Sequence, residues 1–248
     1  MRLERKRGFY EKYVKRFIDI VCSLFALVLF CWLYAIIALI VRVKIGSPVL
    51  FRQPRPGMVD SKTGRERIFN MYKFRTMTDE RGANGELLPD EQRLTKTGRW
   101  LRKTSFDELP EMFSILKGDM SLIGPRPQLV RDMVFMSDEQ RMRHTAKAGL
   151  SGLAQIRGRN AITWDEKLSW DLRYIEKVCF KGDLKLVLAT VKRTLFLSRR
   201  VKELEVAITL DYGDELLQNG RVTKEEYDER QAYAKELLAE FEKGRGRS

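Results

Sequence analysis

One histidine, three cysteines and seven prolines in 248 residues leave little room for several kinds of chemistry. With His144 as the only imidazole, most histidine-based metal and triad chemistry is excluded, and the residue reads as structural or surface-lying. Cys22, Cys31 and Cys179 show no C-x-x-C spacing and two of them fall in an apolar run, which argues against a disulfide framework or a zinc site. No internal repeat or low-complexity tract is present, and 44% apolar with 33% charged residues describes a chain able to fold around its own core.

Positive charge is abundant. Forty-seven Lys and Arg against 34 Asp and Glu give a net charge of +13, which implies an anionic partner: nucleic acid, phospholipid or a phosphorylated substrate. The excess is uneven. Residues 201–248 carry a net −4, so residues 1–200 carry +17. The acidic tail is either a solvated helix packing on the basic core or a docking element.

Seven basic residues within 1–16 lead into a run from Ile20 to Val41, 22 residues without a charge and without Pro or Gly. At ~1.5 Å per residue a straight helix of that length reaches across a ~30 Å hydrocarbon core. A cleavable signal peptide fits less well, because the run exceeds the usual apolar region and no small-residue cleavage site follows. Arg42, Lys44, Arg52 and Arg55 follow the run, with no acid before Asp60, so both flanks carry the charge of a cytoplasmic face. A re-entrant hairpin that enters and leaves on one side satisfies both flanks; a crossing helix satisfies one. Asp19 is expected to partner Lys15 or Arg16 at the interface.

Beyond the run, Val49–Phe51 and Ile68–Phe74 read as strands of a β-hairpin, joined by a turn-rich stretch with Pro54, Pro56, Gly57 and Gly64. Residues 79–98 read as loop or short helical turns, with a phosphate-handling loop as one option. Leu109, Met112, Phe113 and Leu116 form an amphipathic helical face that stops at Lys117-Gly118. Helical patterns recur over 138–147 and 164–198. The latter is basic and amphipathic, suited either to an anionic membrane surface or to core packing. In the tail, Thr223 and Glu226 form a capping-box signature and Gly244 marks a stop.

The stretch Ser105-Phe106-Asp107-Glu108-Leu109-Pro110-Glu111 sets adjacent carboxylates where a helix begins. Structurally, Asp107 could serve as the cap, with Pro110 in the first turn, and Glu108 could complement the dipole. Functionally, the same helix start keeps a carboxylate ionised and draws phosphate, and an ionised Asp is a competent nucleophile toward phosphorus. A divalent cation would neutralise the phosphates, and hard oxygen ligands suit Mg²⁺. Downstream, Gly124-Pro125-Arg126-Pro127 holds an arginine between two residues of fixed φ, the makings of a bidentate phosphate clamp or an ordinary exposed turn. Lys73 and Arg75, two apart on the second strand, would face one side.

Taken in order, KRFIDI (15–20), the hydrophobic run, FRQPRPG (51–57), YKFRTM (72–77), SFDELPEMFSILKGDMSLIGPRP (105–127) and GLSGLAQIRGRNAITW (149–164) resemble the monotopic phosphoglycosyl transferases among bacterial sugar transferases. The resemblance covers about residues 13–198 and is closest to the small diacetylbacillosamine-phosphate transferase-like members. It implies an α+β, mostly helical fold: a basic N-terminus and re-entrant membrane helix (1–45), a cytoplasmic catalytic domain with interfacial amphipathic helices (46–200), and an acidic helical extension (201–248).

The resemblance further implies transfer of a sugar 1-phosphate from a UDP-sugar to undecaprenyl phosphate, with Mg²⁺, through a phosphosugar on Asp107. Asp107 would be nucleophile and metal ligand and Glu108 its partner. Lys73 and Arg126 would meet phosphates, and Gln155, Arg157, Arg159 and Asn160 would lie near the nucleotide sugar. GRNAITW points to an N-acetylated sugar. Expected partners are membrane phospholipid and downstream glycosyltransferases, not nucleic acid, at the cytoplasmic face of the bacterial inner membrane. One departure stands out: the family's membrane helix is typically broken by Ser-Pro, and the matching positions are Cys31-Trp32. A membrane-tethered nucleic-acid-binding protein, which the +17 allows but the interleaved Asp-Glu and Pro-Arg-Pro features do not call for, and a scaffold tolerant of losing Asp107 are the alternatives from other classes.

Overall fold

The computed structural model describes residues 5–158, 162–196 and 210–245. A π-helical turn, Tyr10–Val14, continues into α1 (Lys15–Leu29), followed by α2 (Cys31–Lys44), β1 (Leu50–Val59) and β2 (Glu66–Phe74). Then come α3 (Asp90–Arg93), α4 (Lys96–Thr104), a 3₁₀ turn (Phe106–Glu108), α5 (Glu111–Lys117) and β3 (Met120–Ile123). Short helices α6 (Val130–Met133) and α7 (Asp138–Arg141) and a second 3₁₀ turn (Met142–Thr145) precede β4 (Ala148–Ser151). The chain continues through α8 (Leu153–Arg157), α9 (Trp164–Glu176), α10 (Phe180–Phe196), α11 (Tyr212–Gln218) and α12 (Lys224–Arg245). Mostly helical with two small sheets, this is the α+β class implied by the motifs.

Two compact units divide the chain, and β1 and β2 each contribute to both. One contains 18–53 and 70–118; the other contains 1–17, 54–69 and 119–248.

In the first unit the apolar run does not form one long helix. It breaks at Phe30, whose φ of −103° and ψ of 13° lie outside the helical region, and Tyr10–Leu29 and Cys31–Lys44 meet at 64°. The bend needs neither Ser nor Pro. Among the described residues no single helix is long and apolar enough to cross a membrane. The α2 helix has two unlike faces. Ile37 and Val41 are buried with Phe74 and Leu101, flanked by Leu33, Tyr34, Phe106 and Leu109. Trp32, Ile36, Leu39 and Val43, on the opposite side, are exposed, as are Leu24, Phe25 and Val28 of α1.

The hairpin forms as expected, but its turn is shorter. β1 runs straight through Pro54, Pro56 and Gly57 to Val59. In a two-stranded sheet every strand is an edge, so a proline without N–H forfeits no ladder bond on its open side. Gly244 does not stop the last helix, which continues to Arg245; Thr223 does cap it, its hydroxyl accepting from Glu226 N–H at 3.2 Å.

In the second unit β3 and β4 pair in parallel, Met120 opposite Ala148 and Ile123 opposite Ser151. Gly149 and Gly152 allow this closeness, since a Cβ at either would overlap the Gly124 backbone. Tyr174 and Ile175 of α9 pack on Ile123 and Ala146. The tail packs here too: Tyr212 and Leu216 join Phe135, Met136, Trp164 and Leu168, and Ala234 meets Val130 and Met133. Asp183 of α10 is buried under three donors, Tyr10 and Tyr174 hydroxyls at 2.8 and 2.9 Å and the Lys15 ammonium at 2.6 Å. One side of α10 is thereby fixed, while Phe180, Leu184, Leu188 and Val191 are exposed.

Candidate active site

The carboxylate pair lies in the first unit. The α4 helix ends at Ser105, whose φ of 57° is the only positive value on a non-glycine residue among those described, and the reversal turns the chain into the 3₁₀ segment Phe106–Glu108. Pro110 stands at the N-cap of α5, and Gly118, with φ of 94°, terminates it as expected. Asp107 is therefore not the cap of α5, and Ser105 forms no capping box with Glu108, because the left-handed backbone at Ser105 starts a separate turn. Phe106 and Leu109, on either side of the pair, pack on α2, and the Leu109 carbonyl accepts from Tyr34 Oη at 2.5 Å. Thus the apolar helix and the carboxylate turn share one core.

Lys73 on β2 points its ammonium between two of the acids, 2.9 Å from Glu108 Oε1 and 3.2 Å from Glu111 Oε1. Asp107, only 7% exposed, makes no ion pair among the described residues. Burial raises its carboxyl pKa, and the neighbouring Glu108 charge raises it further, against weaker pull from Lys73 and Arg102. The expectation that a helix start holds Asp107 ionised is reversed: the charge is costly here. Arg75 does not join Lys73. It is buried, donating to the Met77 carbonyl at 2.8 Å and the Ser47 carbonyl at 2.6 Å and pairing with Asp79, because β2 ends at Phe74 and the alternation ends with it. Among the described residues no cluster of three or more His, Cys, Asp or Glu is arranged to hold a metal ion.

The remaining site residues lie in the second unit. Pro125 and Pro127 are buried and Arg126 between them is exposed. The loop is fastened on both sides, Gly124 N–H donating to the Ser151 carbonyl and Gly149 N–H to the Pro125 carbonyl, each at 2.9 Å. A third tie comes from Arg143, whose Nη2 donates to the Arg126 carbonyl at 2.5 Å. Arg143 is 1% exposed and pairs with the equally buried Asp171. Its neighbour His144, buried as a structural residue, contacts Glu66 at 3.2 Å, and Glu66 also pairs with Arg141. Burial pushes the His144 pKa down to about 4, so it stays neutral. Burial alone would raise Glu66, but hydrogen bonds from His144 and Arg141 outweigh it and hold the carboxyl at about 2.

Gln155 is buried, its amide donating to the Leu150 carbonyl at 3.1 Å while Oε1 has no partner. Exposed Arg157 lies 4.6 Å from the Trp170 ring centroid, with Arg173 also near that ring at 5.0 Å. Arg159 and Asn160 lie outside the described residues. Reading the sequence missed Glu66, Arg143 and Asp171, which look like ordinary surface charges until burial reveals them.

The bacterial sugar transferase family model matches residues 10–197. The chain belongs to this family. "Uncharacterized sugar transferase EpsL" of Bacillus subtilis (strain 168) is 47% identical over 182 residues, 73% of this chain and 87% of the relative. "Galactosyl transferase CpsE" of Streptococcus agalactiae serotype III (strain NEM316) is 40% identical over 195 residues, 73% of this chain but only 42% of the relative. The "UDP-glucose:undecaprenyl-phosphate glucose-1-phosphate transferase" of Caulobacter vibrioides is 36% identical over 191 residues, 73% and 69% of the two chains. This sugar transferase thus has the phosphoglycosyl transferase membership implied by its motifs. Its α11 and α12 lie beyond the matched region.

Proposed function

We propose that the protein transfers a sugar 1-phosphate from a UDP-sugar to undecaprenyl phosphate, the first membrane step in assembling a glycan. The supporting observation is Asp107: buried, repelled by Glu108, and left without an ion pair while Lys73 is occupied by Glu108 and Glu111. Once ionised, such a carboxylate is a high-energy nucleophile. Its oxygen attacks the phosphorus that bears the sugar; the bond to the bridging oxygen breaks and UMP leaves with that electron pair. The phosphosugar is now an acyl phosphate on Asp107. An oxygen of the lipid phosphate then attacks the same phosphorus, releasing the Asp107 carboxylate and forming the lipid diphosphate-sugar. Arg126 binds phosphate, and Gln155, Arg157, Arg159 and Asn160 border the nucleotide sugar.

The carboxylates of Asp107 and Glu108 suit Mg²⁺, which commonly takes one or two protein oxygens and completes its shell with phosphate and water. When bound, the ion would neutralise phosphate charge. The bent α1–α2 pair, exposed apolar on its outer faces and flanked by basic residues, would dip into the cytoplasmic leaflet and return.

Incubating the protein with labelled UDP-sugar and no lipid tests the chemistry: one equivalent of UMP and hydroxylamine-labile label on the protein are expected, and neither on Asp107→Asn. Full turnover by Asp107→Asn overturns the assignment. A panel of UDP-sugars including glucose, galactose and N-acetylated forms identifies the sugar, with an N-acetylated one expected. For topology, a cysteine placed near residue 5 should resist a membrane-impermeant thiol reagent in intact cells; periplasmic labelling there overturns the hairpin.

A further inference from the structure

Lys73 is held by two acids that are not alike. Glu111, the first residue of α5, has a side chain only 5% exposed and lies 3.2 Å from the ammonium, while Glu108 on the 3₁₀ turn is 23% exposed and lies 2.9 Å from it. Met112, Ser114 and Ile115 of α5 are buried as well, so Glu111 cannot shift without unpacking its helix. Breaking a buried ion pair strands a charge away from water, whereas a partner nearer the surface is readily traded for water or another anion. Of the two acids, Glu108 is therefore the exchangeable one. An ammonium carries three N–H donors, so with two acids against it one donor remains for a phosphoryl oxygen, and two once Glu108 is displaced. During that exchange the lysine stem, flexible and rich in rotamers, would have Glu111 to hold it in place. Charge balance does not call for Glu111, since Glu108 already neutralises Lys73 and a further carboxylate repels an anionic substrate.

We propose that Glu111 is a positioning residue, which keeps the Lys73 ammonium at the carboxylate turn while Glu108 yields it to a phosphoryl group of the substrates. That a substrate phosphoryl group arrives there rests on the transferase reading above. Bilayer-embedded full-length protein, Glu111→Gln, Lys73→Met and the double variant are titrated calorimetrically with inorganic pyrophosphate, and kcat and KM are measured separately for the UDP-sugar and for undecaprenyl phosphate. Glu111→Gln is expected to bind pyrophosphate about tenfold more weakly and to raise KM about tenfold, with kcat within about twofold of wild type. The double variant is expected to match Lys73→Met, because Glu111 acts only through the lysine. A rise in KM confined to the UDP-sugar identifies the nucleotide diphosphate as the phosphoryl source; a rise confined to the lipid identifies its phosphate. Charge alone predicts the opposite sign, since removing a carboxylate beside an anion site tightens binding. Unchanged or lower KM for both substrates therefore overturns the proposal, as does a further rise in the double variant over Lys73→Met. Lys117→Met is the control for helix packing, because the Lys117 ammonium, 5.3 Å from the Tyr72 ring centroid, ties the far end of α5 to β2. If Lys117→Met raises KM as Glu111→Gln does, Glu111 merely holds the helix on the strand and the proposal falls. Should Glu111→Gln not fold, Glu111→Asp, one methylene shorter, is read by the same criteria. Wild-type protein that releases no UMP from any UDP-sugar overturns the transferase reading, and the Glu111 assignment then stands or falls on whether Glu111→Gln weakens pyrophosphate binding.

Discussion

Asp107 and Glu66 are both buried acids, and their environments move them in opposite directions. Burial raises both. At Glu66, Arg141 and His144 hydrogen-bond the charged form and reverse the shift, to about 2. At Asp107 a backbone hydrogen bond and the charges of Lys73 and Arg102 favour the ionised form but do not reverse the shift, and Glu108 adds repulsion. The difference separates two uses of a buried charge. Glu66 belongs to a hydrogen-bonded network that continues through His144 and Arg143 to the Arg126 carbonyl and Oδ2 of Asp171. Asp107 has no ion pair among the described residues and stands beside a lysine committed elsewhere, so its charge is held at a cost.

The largest expected effect breaks the comparison at Asp107. Replacing it by Asn removes the proposed nucleophile, with an expected loss on the order of 10³-fold or more in UMP release. Because the folded-state pKa lies above the unfolded one, the ionised form costs stability at neutral pH, so the same variant is expected to unfold at a higher temperature. A lower temperature would mean that Asp107 is as well satisfied as Glu66. Glu66→Gln is next: leaving Arg141 and His144 without their carboxylate is expected to cost roughly 3–5 kcal/mol in denaturant unfolding.

Acidification sharpens the contrast. His144, with its folded pKa lowered to about 4, withdraws stability as pH falls from its ordinary 6.5 toward 4. Glu66 withdraws its share between the ordinary 4.5 and about 2. On acidification, activity is expected to begin to fall at a pH above the ordinary carboxylate range, because the proposed mechanism needs ionised Asp107 and its pKa is raised. Lys73→Met, which removes one of the charges favouring that ionisation, is expected to move the acid limb of the rate profile upward and to lower the rate at neutral pH by about tenfold. The smallest effect tests the backbone that sets the carboxylate turn: Ser105→Gly relieves a left-handed residue and is expected to stabilise by about 0.5–1 kcal/mol.

Features with short-range causes were legible in the sequence. The Gly118 stop, the Thr223 cap, the hairpin and the proline-bracketed arginine each follow from residues a few positions apart. The adjacent carboxylates were also legible, though the role of Asp107 as a helix cap was not upheld, since only the left-handed Ser105 separates its turn from α5. Distant partners were harder to see. The four-residue strands β3 and β4 are too short to show a period and acquire meaning only as a pair. Glu66, Asp171 and Lys167 carry the same letters as dozens of surface charges, and burial among residues far along the chain distinguishes them. The prolines of β1 misled for the opposite reason: a local signal for a turn is overruled where a strand has an open edge.

The stitched loop around Arg126 also sets an order of events during synthesis. Its shape depends on Gly149 and Ser151, which leave the ribosome some two dozen residues after the arginine. The arms of the bent helix are closed by bonds between residues four apart and need no such wait. A nascent chain can therefore form its apolar arms well before the loop around Arg126 is fastened, so that this loop takes shape on a protein whose arms are already formed.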